Sequence, residues 1–205
     1  MTAERRPADG PAHDPTVLRA IAHPLRTRIL DEVTARGTAR AADLAHALNI
    51  PANQASFHLR QLAKYGLIEE APEEARDRRD RVWRPTSPEG LRLDLEELRK
   101  QPGGQAAVSV WQRQASAWAH RLVDEAHFGA RLADTEVVIQ DGQLRLTKAQ
   151  AIQLSEELDG VLKAWRRRIG PGEGDARTYS IYLMLQPYPE AQPDLEDAEG
   201  DDAEH

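Results

Sequence analysis

Within one twelve-residue stretch, Asn53, Gln54, Ser56, Phe57, Arg60 and Lys64 stand apart from the apolar Ala55, Leu59 and Leu62. At helical periodicity the second set faces inward and the first faces out. Asn and Gln side chains can bond bidentately to an adenine edge and Arg to a guanine edge. Ser56 and His58 can donate to phosphate or to neighbouring side chains. A polar helix face is more often simply solvated, so the elements around it decide what this one means. Further along, Arg76, Arg78, Arg79 and Arg81 fall within six positions. Side chains of that kind neutralise phosphates and release counterions. Glu73, Glu74, Asp77 and Asp80 are interspersed with them and weaken that field. The plainer reading of this segment is a solvated hairpin tip. Arg78, Arg79 and Arg81 are the preferred phosphate contacts.

The elements that must position these side chains can be read from spacing and punctuation. Leu18, Ile21, Leu25, Ile29, Leu30 and Val33 recur at helical intervals. Pro24 divides that run into two helices and suits the first turn of the second, which Gly37 closes. Ala41–Ala47 predicts a third, short helix, and Leu48-Asn49-Ile50 a tight turn. Pro51 opens a fourth helix to about Tyr65, capped by Gly66. Leu67-Ile68 and Arg81–Arg84 read as the two strands of a hairpin, stopped by Pro85. Two short helices joined by a tight turn set the second across the first, where its outer face can enter a major groove about 12 Å wide. The small residues Ala41 and Ala45, the turn and the basic hairpin all agree with that use of the polar face.

The runs HPLRTRIL (23–30) and ADLAHALNIPANQASFHLRQLAKYGLI (42–68), with the hairpin after them, resemble the ArsR/SmtB-type winged-helix transcription regulators. The likeness is greatest to a branch with a Ser-aromatic-His-Leu core, here Ser56-Phe57-His58-Leu59. It spans about residues 15–85. The resemblance implies a homodimer that places one recognition helix per subunit in successive major grooves and lays the hairpin wing over phosphate or minor groove. It also implies that Asn53, Gln54, Ser56, Phe57 and Arg60 face the DNA. Metal sensors of that family usually carry a cysteine motif on the helix before the turn, and Ala41–Ala45 holds no thiol. The last 120 or so residues are an extension beyond the family's small core.

Beyond Pro88 a short helix runs to Lys100 and ends at Pro102-Gly103-Gly104. A long helix follows, to about Leu132, with Val108, Trp111, Ala115, Trp118 and Leu122 along one seam. Val137–Ile139, Asp141-Gly142 and Leu144–Leu146 spell a β-hairpin. Thr147 with Gln150 forms a capping box for another helix with Leu154, Leu158 and Trp165 on its apolar face. A last strand sets Tyr179, Ile181, Leu183 and Leu185 on one side. The fold class expected is α+β, mainly α: a winged helix-turn-helix, then a helical segment and a small β-β-α-β module. Four regions follow: a disordered N-terminus (1–14), the winged helix (15–87), a dimerisation or effector region (88–187) and an acidic, disordered tail (188–205).

Composition bounds the rest. The chain of 205 residues has no cysteine, which removes disulfides, thiolate metal sites and cysteine nucleophiles together. Its net charge of -7 speaks at first against a nucleic-acid ligand. The charge is uneven, however: 14 bases and 12 acids in residues 1–85, and eight acids with no Lys or Arg in 188–205. The excess acid is therefore a local appendage, one that could compete with DNA for the basic wing. No apolar run reaches membrane-spanning length and the first twenty residues lack a signal sequence, so a cytoplasmic, nucleoid-associated protein is expected. Arginine outnumbers lysine 23 to 4, which suggests a GC-rich bacterial source, such as an actinobacterium.

Other patterns carry less. Asp124-Glu125-Ala126-His127 spells a helicase box without the phosphate loop it needs. His120, Asp124 and His127 share a helix face, but a solvated face explains them and no metal is expected. Trp111, Trp118, Leu122 and Trp165 are candidates for a dimer seam or an effector pocket. No nucleophile, base and acid come together, so no enzyme and no cofactor are expected. The reading is a homodimeric DNA-binding transcriptional regulator, with recognition helix 51–65 and an Arg-rich wing over 71–84. The partners expected are double-stranded DNA, a second copy and an effector left open, either small molecule or protein. The alternative is a winged-helix protein-interaction or small-molecule module without sequence-specific DNA binding.

Overall fold

A computed structural model describes residues 14–76, 80–91, 93–169 and 176–189. The expected disordered N-terminus (save Asp14), Arg78, Arg79 and the acidic tail beyond 189 lie outside the described residues. Helix α1 (Pro15–Ile21) starts from Asp14, whose carboxylate accepts from the Thr16 amide at 2.7 Å. Helix α2 (Pro24–Arg36) follows after two residues, with Pro24 in its first turn as expected. The HPLRTRIL run explains the corner between them. Thr27 Oγ1 donates to the Ile21 carbonyl at 2.5 Å, while Arg26 Nε and Nη2 donate to the carbonyls of Ala20 and Arg19. Side chains of one helix thus satisfy the carbonyls that the end of the other leaves open.

Helix α3 (Ala41–Leu48) and helix α4 (Ala52–Lys64) are joined by Asn49-Ile50-Pro51. Asn49 caps α3 in the left-handed region, at φ 52° and ψ 53°, where asparagine is among the few non-glycine residues at ease. Pro51, expected to open α4, is instead its N-cap with extended backbone. Two strands form the anticipated hairpin, β2 (Ile68–Glu70) and β3 (Val82–Pro85). A two-residue strand that periodicity could not signal, β1 (Ala39–Arg40), pairs with the other edge of β3. The sheet is antiparallel in the order β1-β3-β2, with Ala39 opposite Trp83 and Glu69 opposite Arg84. Helices with this small sheet form a winged helix-turn-helix.

The core is continuous through this unit: Leu18, Ile29, Val33, Leu44, Leu59, Leu62 and Ile68 are fully buried or nearly so. It extends into helix α5 (Leu95–Lys100) through Leu98 and into helix α6 (Gly104–Phe128) through Ala107 and Val108. Trp111 packs at its margin. Helix α6 lies against α1, so the N-terminal and long helices brace each other. Further along α6, Trp118 and Leu122 are half-buried, and the helix stops at Phe128 rather than near Leu132.

Of the β-β-α-β module, the helix forms: α7 (Lys148–Arg168) begins with the expected capping box of Thr147 and Gln150. The three segments with strand patterning, around 137–139, 144–146 and 179–185, make no ladder among the described residues. A strand needs a neighbour to satisfy its amides, and periodicity predicts a strand without supplying that neighbour. No helix among the described residues is long and apolar enough to cross a membrane.

Candidate nucleic-acid interface

Helix α4 sorts its residues as the spacing predicts. Ala55, Leu59 and Leu62 are fully buried. Asn53, Gln54, Phe57, Arg60 and Lys64 are exposed, and Ser56 is half-buried. Asn53, Phe57, Arg60 and Lys64 follow one another at intervals of four, three and four residues, which makes a single stripe along the helix. Phe57 leaves 48% of its surface in solvent although it is a large aromatic ring. At the first turn, Asn53 Oδ1 accepts from the Gln54 amide at 2.9 Å. Arg60 Nε donates to the Ser56 carbonyl at 3.2 Å, which steadies the side chain against its own helix.

His58 is a correction. Expected among the phosphate donors, it is 5% exposed and turned inward, its ring centroid 4.9 Å from that of His23. It follows Phe57 by about 100° around the helix, which carries it from the exposed stripe to the core side. Its Nδ1 finds no partner among the described residues. Burial, then the neighbouring His23 and Arg26, hold its pKa below the ordinary 6.5. His23 is lowered likewise, by desolvation first and Arg26 second.

That pair has a measurable consequence. Both imidazoles are neutral in the folded protein where the unfolded chain would already be protonated. Their contribution to stability is therefore complete above pH 6.5 and is lost as the pH falls toward their folded values. Asp31, whose carboxyl is pushed up to about 6 by burial, works in the opposite sense over the same range, so the comparison is between proteins: from pH 7.5 to pH 5.5 the urea midpoint of the wild type should fall relative to that of His58→Leu. An identical change of midpoint in the two proteins would remove His58 as a contributor.

The wing is anchored by a residue that spacing did not single out. Arg40, between β1 and α3, donates from Nε to Asp80 Oδ2 at 2.7 Å and from Nη2 to the Glu74 carbonyl at 3.2 Å. Asp80 Oδ2 also accepts from the Arg76 amide, at 3.2 Å. The Arg40 pairing, then that amide, hold the Asp80 carboxyl below its usual range. Asp80, expected only to dilute the wing's positive field, thus ties the wing to the start of α3. A sequence signal existed in the pairing of Arg40 with Asp43, which closes the α3 capping box. It did not point forty residues downstream.

The remaining wing cations are tempered as expected. Arg81 Nη1 lies 3.5 Å from Glu70, with much of its side chain still exposed. Arg84 bonds Glu69 at 2.8 Å and also Glu73. Arg76 stands at the wing's base through its backbone. Between α4 and the wing lies a cleft of about 370 Å³, lined by Arg40, Ala41, Ser56, Arg60, Arg81 and Trp83 among others. Three guanidinium groups and the Asp80 carboxylate that holds one of them thus border one hollow beside the exposed stripe of α4. The candidates Trp111, Trp118, Leu122 and Trp165 do not line it. Trp165 is exposed and stacks under Arg168, 4.5 Å from guanidinium carbon to ring centroid. Among the described residues no group of three or more potential metal ligands gathers, His120, Asp124 and His127 included.

Residues 21–71 match the model of a helix-turn-helix domain. The matched stretch runs from the end of α1 through β2 and contains the whole exposed stripe. The chain is similar to solved structures of wild-type MarR from E. coli in its apo form (14% identity, 72% of this chain and 87% of that one, TM-score 0.33). It is also similar to a mutant of ZitR from Lactococcus lactis, again in apo form (16% identity, 73% and 88%, TM-score 0.32). Both superpose loosely, so the assignment of a helix-turn-helix stands on the matched residues and on the geometry above. The search of curated proteins returns no match.

Proposed function

We propose that this chain is a homodimeric, DNA-binding transcriptional regulator. The observation that carries the reading is the exposed stripe of Asn53, Phe57, Arg60 and Lys64, with Gln54 beside it, on the second helix of a helix-turn-helix. Core contacts hold the helix on one side and leave the other side free to enter a groove. Gln54 and Asn53 suit adenine edges, and Arg60 suits guanine or phosphate. Arg60 and Arg81 border the cleft behind the stripe, where they suit the backbone phosphates flanking the read bases, while Arg40 there is engaged by Asp80. Arg76, Arg78 and Arg79 extend the same basic edge in the sequence. The near-neutral balance of the first 85 residues means that a few well-placed arginines, rather than a strong overall field, supply the attraction.

In this reading residues 15–87 bind DNA and 88–187 hold the dimer together. Two copies bring two half-sites into register about one helical turn, or 34 Å, apart. The likeness of residues 15–85 to the ArsR/SmtB type supports the dimer and the use of the wing, and the lack of cysteine sets any effector chemistry apart from thiolate metal sensing. The effector region remains that of the α6 seam and the segments after it.

Fluorescence anisotropy with the chain's own promoter DNA tests the reading. Gln54→Ala and Arg60→Ala should each cost about 1–3 kcal/mol of discrimination, roughly 5- to 150-fold in affinity for the preferred site. Arg60→Ala should also flatten the salt dependence if its partner is a phosphate. Equal affinity and selectivity in both variants and the wild type would reject the assigned face. Binding that ignores added salt would favour the protein-interaction alternative.

A further inference from the structure

Every strongly exposed large hydrophobic side chain among the described residues, Phe57 aside, lies at or beyond Val110. The most exposed is Phe128 at the end of α6, at 87%, and most of the next lie in the two segments patterned as strands. Val138 is 74% exposed, Ile181 63% and Met184 67%, and both faces of 179–185 are open. At roughly 60–120 Å² of apolar surface per such side chain when fully bared, this half of the molecule shows on the order of 1,000 Å². As a total over α6, α7 and the two segments, that is of the order of the roughly 800 Å² per partner in a standard interface.

The backbone makes the same point independently. Among the described residues, segments 136–146 and 176–189 make no backbone–backbone hydrogen bond. They lie close together all the same, since the Tyr179 hydroxyl accepts from the Glu136 amide at 3.3 Å. β-Branched and aromatic residues with free amides form an open strand edge, and such an edge pairs with whatever strand it meets. The charge pattern selects the occupant. From Thr178 to Pro189 there is no charged residue, so two copies of the segment can lie side by side without like-charge repulsion. Pro187 and Pro189 end the strand and keep the pairing from running on.

We propose that a second copy of this chain covers this surface, both copies contributing segments 136–146 and 178–186 to one shared β-sheet. The inference rests on the homodimer of the preceding section and says where that dimer is built. In it the β-β-α-β pattern is completed between subunits rather than within one.

Light scattering on the full chain at micromolar concentration gives the mass, and hydrogen exchange gives amide protection without any substitution. A particle of twice 22.9 kDa, with the amides of 137–146 and 179–185 slowed about 100-fold or more relative to unfolded chain, is the expected result. A monomer overturns the proposal. So does a dimer whose segment amides exchange freely, since its interface must then lie elsewhere. Ile181→Asp and Val138→Asp should each halve the mass while leaving the exchange pattern of residues 15–87 intact. A stable dimer in both variants, with the winged helix intact, also overturns it. DNA binding is read separately: a dimer with protected segments that binds no DNA rejects the regulator reading and leaves this one standing.

Discussion

Gly104→Ala is expected to destabilise the protein by at least about 3 kcal/mol, because a Cβ there would lie 1.8 Å from the Leu98 carbonyl oxygen. The obstacle is backbone, and no rotamer change removes it. Gly104 starts α6 directly after the turn that leaves α5, and its amide donates to the Gln101 carbonyl at 2.9 Å. Making room would push α6 away from α5 and shift Ala107 and Val108 out of the core they share with α1. Gly103 supplies the control. It is left-handed at φ +73°, but its added Cβ would meet only the mobile end of Arg19, at 3.1 Å. Gly103→Ala should therefore cost about 1–2 kcal/mol, the strain of a left-handed residue with a side chain. Urea denaturation of both variants gives the comparison, and equal losses would refute the steric argument. Gly104→Ala should also weaken self-association, since α6 leads into the exposed C-terminal surface.

What could be read without coordinates divides along a physical line. The four helices of the N-terminal unit, the turn at Asn49 and the hairpin were legible because each is specified locally. Apolar residues recur at helical intervals, Pro24 and Gly66 mark ends, and Ala55, Leu59 and Leu62 declare the inner face of α4. The exposed stripe was legible for the same reason. His58 was misplaced because it was judged by its polar type, although it stands three residues after Ala55 and four before Leu62, on the inner face of the helix. A buried imidazole goes against the usual preference, and its packing against His23 shows the spacing to have been the better guide.

Arg40 and Asp80 escaped notice because their bond joins residues forty apart, and no local pattern encodes such a pairing. Strand β1, of two residues, is too short to show alternation. The segments 137–146 and 179–185 are the instructive case. Their alternation is as clear as that of any strand in the chain, yet they form no ladder among the described residues of one copy. Periodicity reports that a segment is suited to a sheet, and says nothing about which chain supplies the neighbouring strand.

Adjacent residues of α4 allow fold and function to be separated. Leu59 is fully buried between α4 and the rest of the core, so Leu59→Ala should cost about 2–5 kcal/mol through lost burial and the cavity left behind. That is a large part of the 5–15 kcal/mol that typically holds a domain of this kind together. Arg60, the next residue, points to solvent and, among the described residues, bonds its own helix at the Ser56 carbonyl. Arg60→Ala should thus change stability by no more than about 0.5 kcal/mol while weakening DNA binding. In Leu59→Ala, affinity per folded molecule should stay near that of the wild type at low temperature and fall with the helix's own unfolding on warming. Circular dichroism melts paired with anisotropy titrations at two temperatures distinguish the two behaviours. If Arg60→Ala melts as early as Leu59→Ala, the residue supports the fold, and the division of α4 into a seated face and a reading face is wrong. If instead Leu59→Ala remains fully folded yet loses DNA, the inner face takes part in recognition, and the helix must lie in the groove by a different edge.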